Sequence, residues 1–310
     1  MKRISGFEIL KNKKVCIDIY NFIYEYLADN RLIENIEKLC KLLNKYNIQT
    51  LFVFDGKYSD MKITTHNNRK TKRKLADIRY NKMLKKRNLS VRERRVLERV
   101  KRQRVKITKW DIHDAKRCIE LCGMKYIIAS GEAEEFCCEL VRKKKVYACM
   151  SNDTDLFAYG CKKIIRNVDL KNELFNEYDY DDFLNFIDMR DKEFKMLCVM
   201  SSNDYNNKEK KFNFRYYYTL FKKYMETMQD TKVHEESKEN MGSFIEWLLE
   251  NEYLTEENFE KYENLKDVFE LSKKNVSKNN KYILIRNGEM DYRGIKNLCL
   301  ERKRYLAELY

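Results

Sequence analysis

Short runs of apolar, mostly β-branched residues alternate with longer amphipathic segments over the first half of the chain. Residues 14–19 and 50–54 are apolar runs of strand length, whereas residues 31–46 carry Leu and Ile at helical spacing. Further helices are predicted near 20–27, 109–122 and 131–143, and further strands at 125–129 and 146–150. This alternation predicts an α/β fold with a mainly parallel central sheet flanked by helices.

The second half of the chain is predicted to be mostly helical. Phe244, Trp247 and Leu248 lie on one face of an amphipathic segment, and residues 295–309 have the pattern of a final helix. Residues 281–285 are apolar and fit either a short strand or a buried extended segment. We therefore predict a core domain at residues 1–205, which contains an insertion at 62–106, followed by a helical region at 206–310.

Positive charge is concentrated in that insertion. The chain has a formal net charge of +15 at pH 7, and residues 62–106 contain 19 Lys and Arg against three acidic residues, so the rest carries −1. Such an excess favours a polyanionic partner, nucleic acid before an anionic membrane. The alternative is a solvated basic face, in which Val96, Leu97 and Val100 form the only clear apolar stripe.

Neither a membrane span nor a disulfide framework is predicted. No stretch approaches the roughly 18 apolar residues of a span, and the N-terminus lacks a signal-peptide core, so we expect an intracellular protein of the nucleus or cytoplasm. The ten cysteines include no Cys-x-x-Cys pair, which favours reduced, buried thiols. A zinc site at His113, Cys118 and Cys122 stays open as an alternative.

Seven carboxylates occur in short clusters, several of which end or follow the predicted strands. They are Asp18, Asp55, Glu132, Glu134, Asp153, Asp155 and Asp204. Sites in open parallel sheets form beyond the carboxyl ends of the strands, where distant parts of a chain converge. Carboxylates repel one another unless cations neutralise them, and hard oxygen donors select Mg²⁺ or Mn²⁺ over zinc. Two such ions about 4 Å apart can drive phosphodiester hydrolysis.

The segments that carry these carboxylates resemble a known family. VCIDIYNFIYEYL, LFVFDGK, SGEAEEFCCELV, VYACMSNDTDLFAYG and LCVMSSNDY are similar to motifs of the flap endonucleases of the XPG family of structure-specific 5′ nucleases, roughly over residues 13–205. The resemblance implies a PIN-like nuclease core that uses two Mg²⁺ ions, for which Mn²⁺ substitutes. Asp18, Asp55, Glu132 and Glu134 would mostly serve one ion, and Asp153, Asp155 and Asp204 the other.

The same resemblance assigns roles to residues of the basic insertion. Lys62 and Arg69 match the basic pair that contacts the scissile phosphodiester at the base of a helical gateway, where cations stabilise the developing charge. Residues 70–106, including Lys70 and Arg73, would form a helical arch over single-stranded DNA. Tyr24 matches an aromatic residue that stacks on a base beside the cut, with core packing as its alternative role.

Three features depart from the family pattern. The chain lacks the Met-Gly-Ile-x-Gly-Leu start, and no sliding-clamp motif follows near its C-terminus. Where the family has a glycine-rich helix–turn–helix that binds duplex DNA through potassium, this chain has residues 211–216. We expect a degenerate form of that motif, in which Lys210, Lys211 and Arg215 contact phosphate.

These observations together predict a Mg²⁺-dependent endonuclease and 5′-exonuclease that acts on branched or 5′-flap DNA in replication, repair or recombination. No small-molecule cofactor and no membrane partner are expected. Within the same fold, a four-way-junction resolvase and an RNA-cleaving, message-degrading enzyme are alternatives. A DNA-binding protein without catalysis is the alternative from another class, although it would have no reason to keep seven mutually repelling acids.

Overall fold

The fold is that of a computed structural model, which describes residues 2–56, 63–86, 88–206, 211–230, 241–271 and 287–308. Within these ranges, seven strands and thirteen α-helices are present, together with a short 3₁₀ helix at Phe7–Leu10. None of the helices in the described part combines the length and hydropathy that crossing a bilayer requires.

The strands form one sheet in the order β1-β7-β6-β5-β2-β3-β4. The five strands from β6 to β4 are parallel, whereas β7 pairs antiparallel with both β6 and β1 at one side of the sheet. Their bounds are β1 Lys2–Gly6, β2 Lys14–Asp18, β3 Gln49–Phe54, β4 Lys125–Ile128, β5 Ala148–Met150, β6 Lys163–Asp169 and β7 Leu174–Asp179.

Helices connect these strands and then continue as the second half of the chain. Their bounds are α1 Tyr20–Ala28, α2 Leu32–Lys45, α3 Ile63–Leu84, α4 Val91–Gln103, α5 Lys109–Leu121, α6 Ala133–Arg142, α7 Asp155–Ala158, α8 Tyr180–Ile187, α9 Asp191–Met200, α10 Phe214–Asp230, α11 Met241–Glu250, α12 Glu256–Leu265 and α13 Tyr292–Glu308.

The core lies between the central strands and their covering helices. In β2, every residue after Lys14 is buried, as expected for a parallel strand covered on both faces. Helix α2 buries its apolar stripe in the same cluster and packs against α5 and α13. Helix α5 begins with a capping box, in which the hydroxyl of Thr108 accepts from the N–H of Asp111 and the Asp111 carboxylate accepts from the N–H of Thr108.

The chain divides into two compact units. The first contains residues 1–59, 66–183 and 272–310 and holds the sheet, whereas the second contains residues 60–65 and 184–271. The boundary that the sequence predicts after residue 205 falls inside the second unit, and the final helix groups with the first unit.

Most predicted elements of the first half are confirmed with small shifts of their ends. The predicted mainly parallel α/β sheet is present, and the basic insertion is helical as expected, forming α3 and α4. Strands β1, β6 and β7 have no counterpart in the sequence prediction. Residues 281–285, for which a short strand and a buried extended segment were both open, lie outside the described residues.

Candidate metal centre

Four neighbouring parallel strands each lead into acidic residues at the same end of the sheet. Strands β5, β2, β3 and β4 are adjacent and parallel, so their carboxyl ends lie side by side. Asp18 ends β2, Asp55 follows β3, and the residues after β4 and β5 supply the rest of the set: Glu132, Glu134, Asp153 and Asp155. The fold therefore brings six of the seven predicted ligands to one edge of the sheet.

Asp18 lies at the buried centre of this edge. Its side chain is 1% exposed, one carboxylate oxygen accepts from the Ser151 hydroxyl at 2.6 Å, and the other accepts from the N–H of Tyr20 at 3.3 Å. Burial raises the pKa of the Asp18 carboxyl to about 8, and the negative charges of Asp55 and Asp153 act in the same direction. In the absence of a cation, this carboxylate is held where its charge is unfavourable.

Asp55 and Glu134 meet at the beginning of helix α6. The N–H of Ala133, in the first turn, donates to Asp55 at 2.9 Å, so this carboxylate occupies the positive end of the helix. Glu132 is the N-cap residue, and Glu134 lies within the first turn. Burial raises the pKa of Glu134 well above its ordinary value, and repulsion from Asp18, Asp55 and Asp153 raises it further.

A turn after β5 positions Asp153 and Asp155. The N–H of Asp153 donates to the Ser151 hydroxyl at 3.1 Å, and the N–H of Asp155 donates to the Asp153 carboxylate at 2.9 Å. The amide of Asn21 on α1 also reaches Ser151, at 3.5 Å. Ser151 is fully buried and connects the acidic ends of β2 and β5, a role that sequence reasoning missed. The sequence signal that could have identified Ser151 is its position directly after a predicted strand and just before Asp153 and Asp155.

Gly56 holds the Asp55 loop against the loop that precedes α6. A Cβ atom at Gly56 would lie 2.0 Å from the carbonyl oxygen of Ala129 and 3.0 Å from the carbonyl carbon of Ser130. The N–H of Gly56 also donates to the carbonyl of Gly131 at 2.8 Å. Only glycine permits this approach, so Asp55 reaches the α6 N-terminus because the residue after it has no side chain.

The donor set at this edge fits a hard divalent cation. All six groups are carboxylates. Asp18 is buried, Glu134 is half-buried, and both are repelled by their acidic neighbours, a penalty that bound positive charge removes. Among the described residues, the only three ligand atoms of His, Cys, Asp or Glu that lie mutually within 4.8 Å are the thiols of Cys16, Cys137 and Cys149. The carboxylates are therefore spread along the edge rather than gathered around a single point.

The seventh predicted ligand, Asp204, belongs to the second unit. It lies in a turn after α9, where the side-chain oxygen of Asn203 accepts from the N–H groups of Tyr205 and Asn206 at 2.8 and 2.7 Å. The amide of the buried Asn206 donates back to the carbonyl of Val199 at 2.9 Å. Asp204 is half-buried in this fixed turn, and its role as a metal ligand stays a prediction.

The base of the insertion contacts the helix that follows β2. The Tyr24 hydroxyl donates to the carbonyl of Arg102 at 2.6 Å, and the Arg102 guanidinium lies 3.6 Å from the carboxylate of Asp29. Partial burial raises the pKa of the Tyr24 hydroxyl, whereas the charges of Arg73 and Arg102 act to lower it. Tyr24 is 37% exposed and does not belong to the core, which removes the packing alternative for its ring.

The remaining predicted phosphate contacts have mixed outcomes. Arg69 and Lys70 are exposed on α3, and Arg73 is half-buried beside Tyr24. Lys211 and Arg215 are exposed in the second unit, where Lys211 lies 4.9 Å from the ring of Phe212. Lys62 and Lys210 lie outside the described residues.

The zinc alternative is wrong. His113 is 62% exposed, whereas Cys118 and Cys122 are fully buried in the core, so the three side chains share no site. Eight of the ten cysteines are buried, which agrees with the prediction that they pack as small apolar groups.

Two family models match the segments that form this centre. The XPG N-terminal domain matches residues 1–76, and the XPG I-region matches residues 123–204. These two ranges contain all seven carboxylates and leave out most of the basic insertion. The chain belongs to the XPG family.

Curated relatives and solved structures agree with this placement. Flap endonuclease 1 of Saccharomyces cerevisiae is 34% identical over 230 residues, which are 66% of this chain and 56% of that protein. The probable RAD2-like endonuclease 369L of Invertebrate iridescent virus 6 is 26% identical over 255 residues, 64% of this chain and 61% of that protein. The chain thus spans less than two thirds of either relative.

The fold is also shared with solved structures of low sequence identity. The catalytic core of Rad2 in complex with DNA substrate superposes with a TM-score of 0.65 at 21% identity, over 97% of this chain and 90% of that one. Flap endonuclease-1 from Methanococcus jannaschii gives a TM-score of 0.63 at 21% identity with the same coverage. These likenesses confirm the α/β fold across nearly the whole chain.

Proposed function

We propose that this protein is a Mg²⁺-dependent nuclease that hydrolyses DNA phosphodiesters at 5′ flaps and 5′ ends of branched DNA. The observation that carries the proposal is the row of four adjacent parallel strands that each end in carboxylates, of which Asp18 and Glu134 have raised pKa values through burial and mutual repulsion. Such an arrangement is unfavourable without cations and is suited to a reaction that needs them.

The spread of the carboxylates supports two ions rather than one. Strands β5 to β4 span three inter-strand spacings, roughly 14 Å, which exceeds the reach of a single coordination sphere. Asp18, Asp55, Glu132 and Glu134 would hold one ion, and Asp153, Asp155 and Asp204 the other. When bound, such ions supply an activated water and positive charge at the phosphoryl and leaving oxygens, and Mn²⁺ substitutes for Mg²⁺.

The basic insertion would hold the strand that is cut. Arg69 and Lys62 contribute positive charge toward the scissile phosphate, and Lys70 and Arg73 continue that surface along the arch. Tyr24, on the helix directly after Asp18, presents a partly exposed ring beside Arg73, where a base can stack. Lys210, Lys211 and Arg215 of the second unit would contact duplex phosphates.

The proposal of 5′-flap DNA as substrate is supported by similarity to flap endonucleases and to a nuclease core solved with DNA. Flap endonuclease 1 is among the curated matches, and the Rad2 core was solved with DNA substrate. Human GEN1 was solved with Holliday junction DNA and shares the fold with a TM-score of 0.58 at 16% identity, so junction cleavage is the rival activity. An intracellular site of DNA synthesis, in nucleus or cytoplasm, is part of the proposal because the substrate is made there.

A substrate panel tests the proposal. Purified protein is incubated with 5′-flap DNA, nicked duplex, a four-way junction and single-stranded RNA, each with Mg²⁺ and with EDTA. We expect the 5′-flap DNA to be cleaved with Mg²⁺ and not with EDTA. Cleavage of the RNA or of the four-way junction at a higher rate than the flap would contradict the substrate assignment.

The variant Asp155→Asn separates catalysis from binding. It should abolish Mg²⁺-dependent cleavage while the affinity for flap DNA changes little, since most binding comes from phosphate contacts of the insertion. Asp181→Asn, at a 63% exposed carboxylate, is the matched control and should cleave normally. Equal cleavage by wild type and Asp155→Asn would show that the acidic edge is not the catalytic centre.

A further inference from the structure

A second concentration of positive charge lies in the first unit, at the end of the sheet opposite to the carboxylates. A cavity of about 510 Å³ opens beside the amino end of β2, the carboxyl end of α6 and the amino end of β6. Strand β2 begins at Lys14 in this cavity and ends at Asp18, so about 13 Å of strand separates the two sites. The cavity is therefore separate from the metal centre.

The lining of this cavity is cationic. Seven of its lining residues carry positive charge, and none of the described residues that line it is acidic; the cations are Lys13, Lys14, Arg142, Lys144, Lys145, Lys162 and Lys163. Outside the insertion at 62–106, the rest of the chain carries a net −1, so a uniformly basic surface does not account for seven cations around one cavity.

Four of these cations have no carboxylate paired with them among the described residues. Arg142, Lys162 and Lys163 are paired with the carboxylates of Glu139, Asp181 and Asp179 outside the cavity. Among the described residues, the other four lysines (Lys13, Lys14, Lys144 and Lys145) have no ion-pair partner. Mutual repulsion makes such a group unfavourable until an anion binds.

The floor of the cavity gives it a fixed shape. Val141 and Val146 are buried, and the half-buried Tyr147 lines the cavity with them. The Tyr147 hydroxyl donates to Glu177 at 2.7 Å, and the ammonium group of Lys13 lies 3.7 Å from the centre of its ring. A volume of this size holds a nucleotide-sized ligand, and an apolar floor with a cationic rim suits a ligand that carries both a base and phosphates.

We propose that this cavity, which we call the rear pocket, binds the phosphates of a nucleotide, either within a DNA strand or as a free nucleoside triphosphate. Lys13, Lys14, Lys144 and Lys145 contact the phosphate oxygens, and the Tyr147 ring keeps Lys13 in place. None of the described residues that line the rear pocket is a carboxylate that could hold a metal, so the proposal is of binding alone.

Lysine acetylation footprinting tests the rear pocket on the wild-type chain. The protein is treated with an acetylating reagent in EDTA, alone, with 5′-flap DNA and with adenosine triphosphate, and each lysine is followed by mass spectrometry. At a ligand concentration about twice Kd, acetylation of Lys144 and Lys145 should slow about threefold. Protection by triphosphate identifies a free nucleotide as the ligand, and protection by DNA alone identifies a nucleic-acid strand. Protection by neither overturns the proposal.

A charge-matched pair of variants gives the second measurement. Lys14→Ala/Lys144→Ala/Lys145→Ala should weaken binding of whichever ligand protects by about tenfold, since exposed ion pairs contribute about two- to threefold each. Lys38→Ala/Lys171→Ala/Lys296→Ala removes the same charge at exposed sites elsewhere and should bind as wild type does. If both variants lose the same affinity, the loss is caused by the change in net charge, and the proposal is overturned. Both measurements are made without cleavage, so failure of the nuclease assignment leaves them intact.

Discussion

Asp18 is subject to opposite requirements from folding and from metal binding. Burial in the metal-free protein raises the pKa of its carboxyl from 3.8 to about 8. Across that window, the folded protein keeps a proton that the unfolded chain releases, so the free energy of unfolding falls as the pH rises. A bound cation reverses this effect, because it favours the ionised carboxylate.

Replacing Asp18 by Asn should therefore stabilise the metal-free protein at high pH. In urea unfolding with EDTA at about pH 8.5, Asp18→Asn should increase the free energy of unfolding by up to about 5 kcal/mol, and the gain should disappear near pH 4. Added Mg²⁺ should stabilise the wild type more than the variant. The exposed Glu289→Gln serves as control, and a gain for Asp18→Asn that does not depend on pH would contradict this assignment.

Gly56 should tolerate no side chain, for steric rather than conformational reasons. Gly56→Ala places Cβ 2.0 Å from the Ala129 carbonyl oxygen, so the loop that carries Asp55 must move. We expect a loss of about 1–3 kcal/mol in urea unfolding, together with weaker metal binding. At Gly288, a Cβ would meet only ordinary contacts, the nearest at 3.5 Å, so Gly288→Ala should change stability by less than about 0.5 kcal/mol. Similar losses in both variants would show that the close approach is relieved easily.

At the scale of secondary-structure elements, a hydrogen bond links the insertion to the helix that follows Asp18. The Tyr24 hydroxyl on α1 donates to the carbonyl of Arg102, in the last turn of α4. The helix that follows Asp18 therefore also supports the arm of the insertion that returns to the core.

Tyr24→Phe should loosen α4 without disturbing the core. Loss of one partly exposed hydrogen bond contributes about 1 kcal/mol, so amide hydrogen exchange in residues 91–103 should accelerate about fivefold, while exchange in β2 and β3 stays constant. Tyr80→Phe is the control, because Tyr80 contacts Arg104 through its ring, with the guanidinium carbon 4.0 Å from the ring centre. Unchanged exchange in Tyr24→Phe would show that the hydrogen bond does not hold α4.

At the scale of the whole molecule, charge is separated into distinct regions. The insertion carries +16 and the remainder −1, with acids gathered at one end of the sheet and the rear pocket at the other. Long-range attraction of DNA should therefore depend mainly on α3 and α4, which project the largest block of cations.

Neutralising part of the insertion should flatten the salt dependence of DNA binding. Ala substitutions at Lys70, Arg73, Arg95 and Arg99 should reduce the slope of log K against log salt by up to about 0.9 for each lost phosphate contact. Fluorescence anisotropy with labelled 5′-flap DNA in EDTA at several salt concentrations measures the slope. An unchanged slope would assign these residues to a solvated surface. Lys38→Ala/Lys171→Ala/Lys261→Ala/Lys296→Ala removes the same four charges at exposed sites elsewhere and is the control for net charge.

Most of the strands that the sequence predicted share one physical property, whereas β4, at the edge of the sheet, is only partly buried. Strands β2 and β3 are covered on both faces, so their residues form continuous apolar runs that are recognisable without neighbours. Strands β1, β6 and β7 lie at one side of the sheet and mix Lys, Arg, Asn and Asp with apolar residues. Strands β6 and β7 pair with each other across residues 170–173, so the polar residues within them, rather than distance in sequence, hid them from the pattern. Strand β1 pairs with β7, which lies far away in the chain.

The sequence by itself determined the α/β class, the basic insertion and the identity of the acidic residues, because apolar periodicity and charge are local properties. Only the tertiary structure decided that strands β5, β2, β3 and β4 are neighbours, and therefore that six carboxylates share one edge. It also revealed Ser151, Gly56 and the rear pocket, whose roles arise from hydrogen bonds, close approaches and a cavity between segments far apart in the chain. Such contacts depend on distances in space, which a linear pattern of residues does not contain.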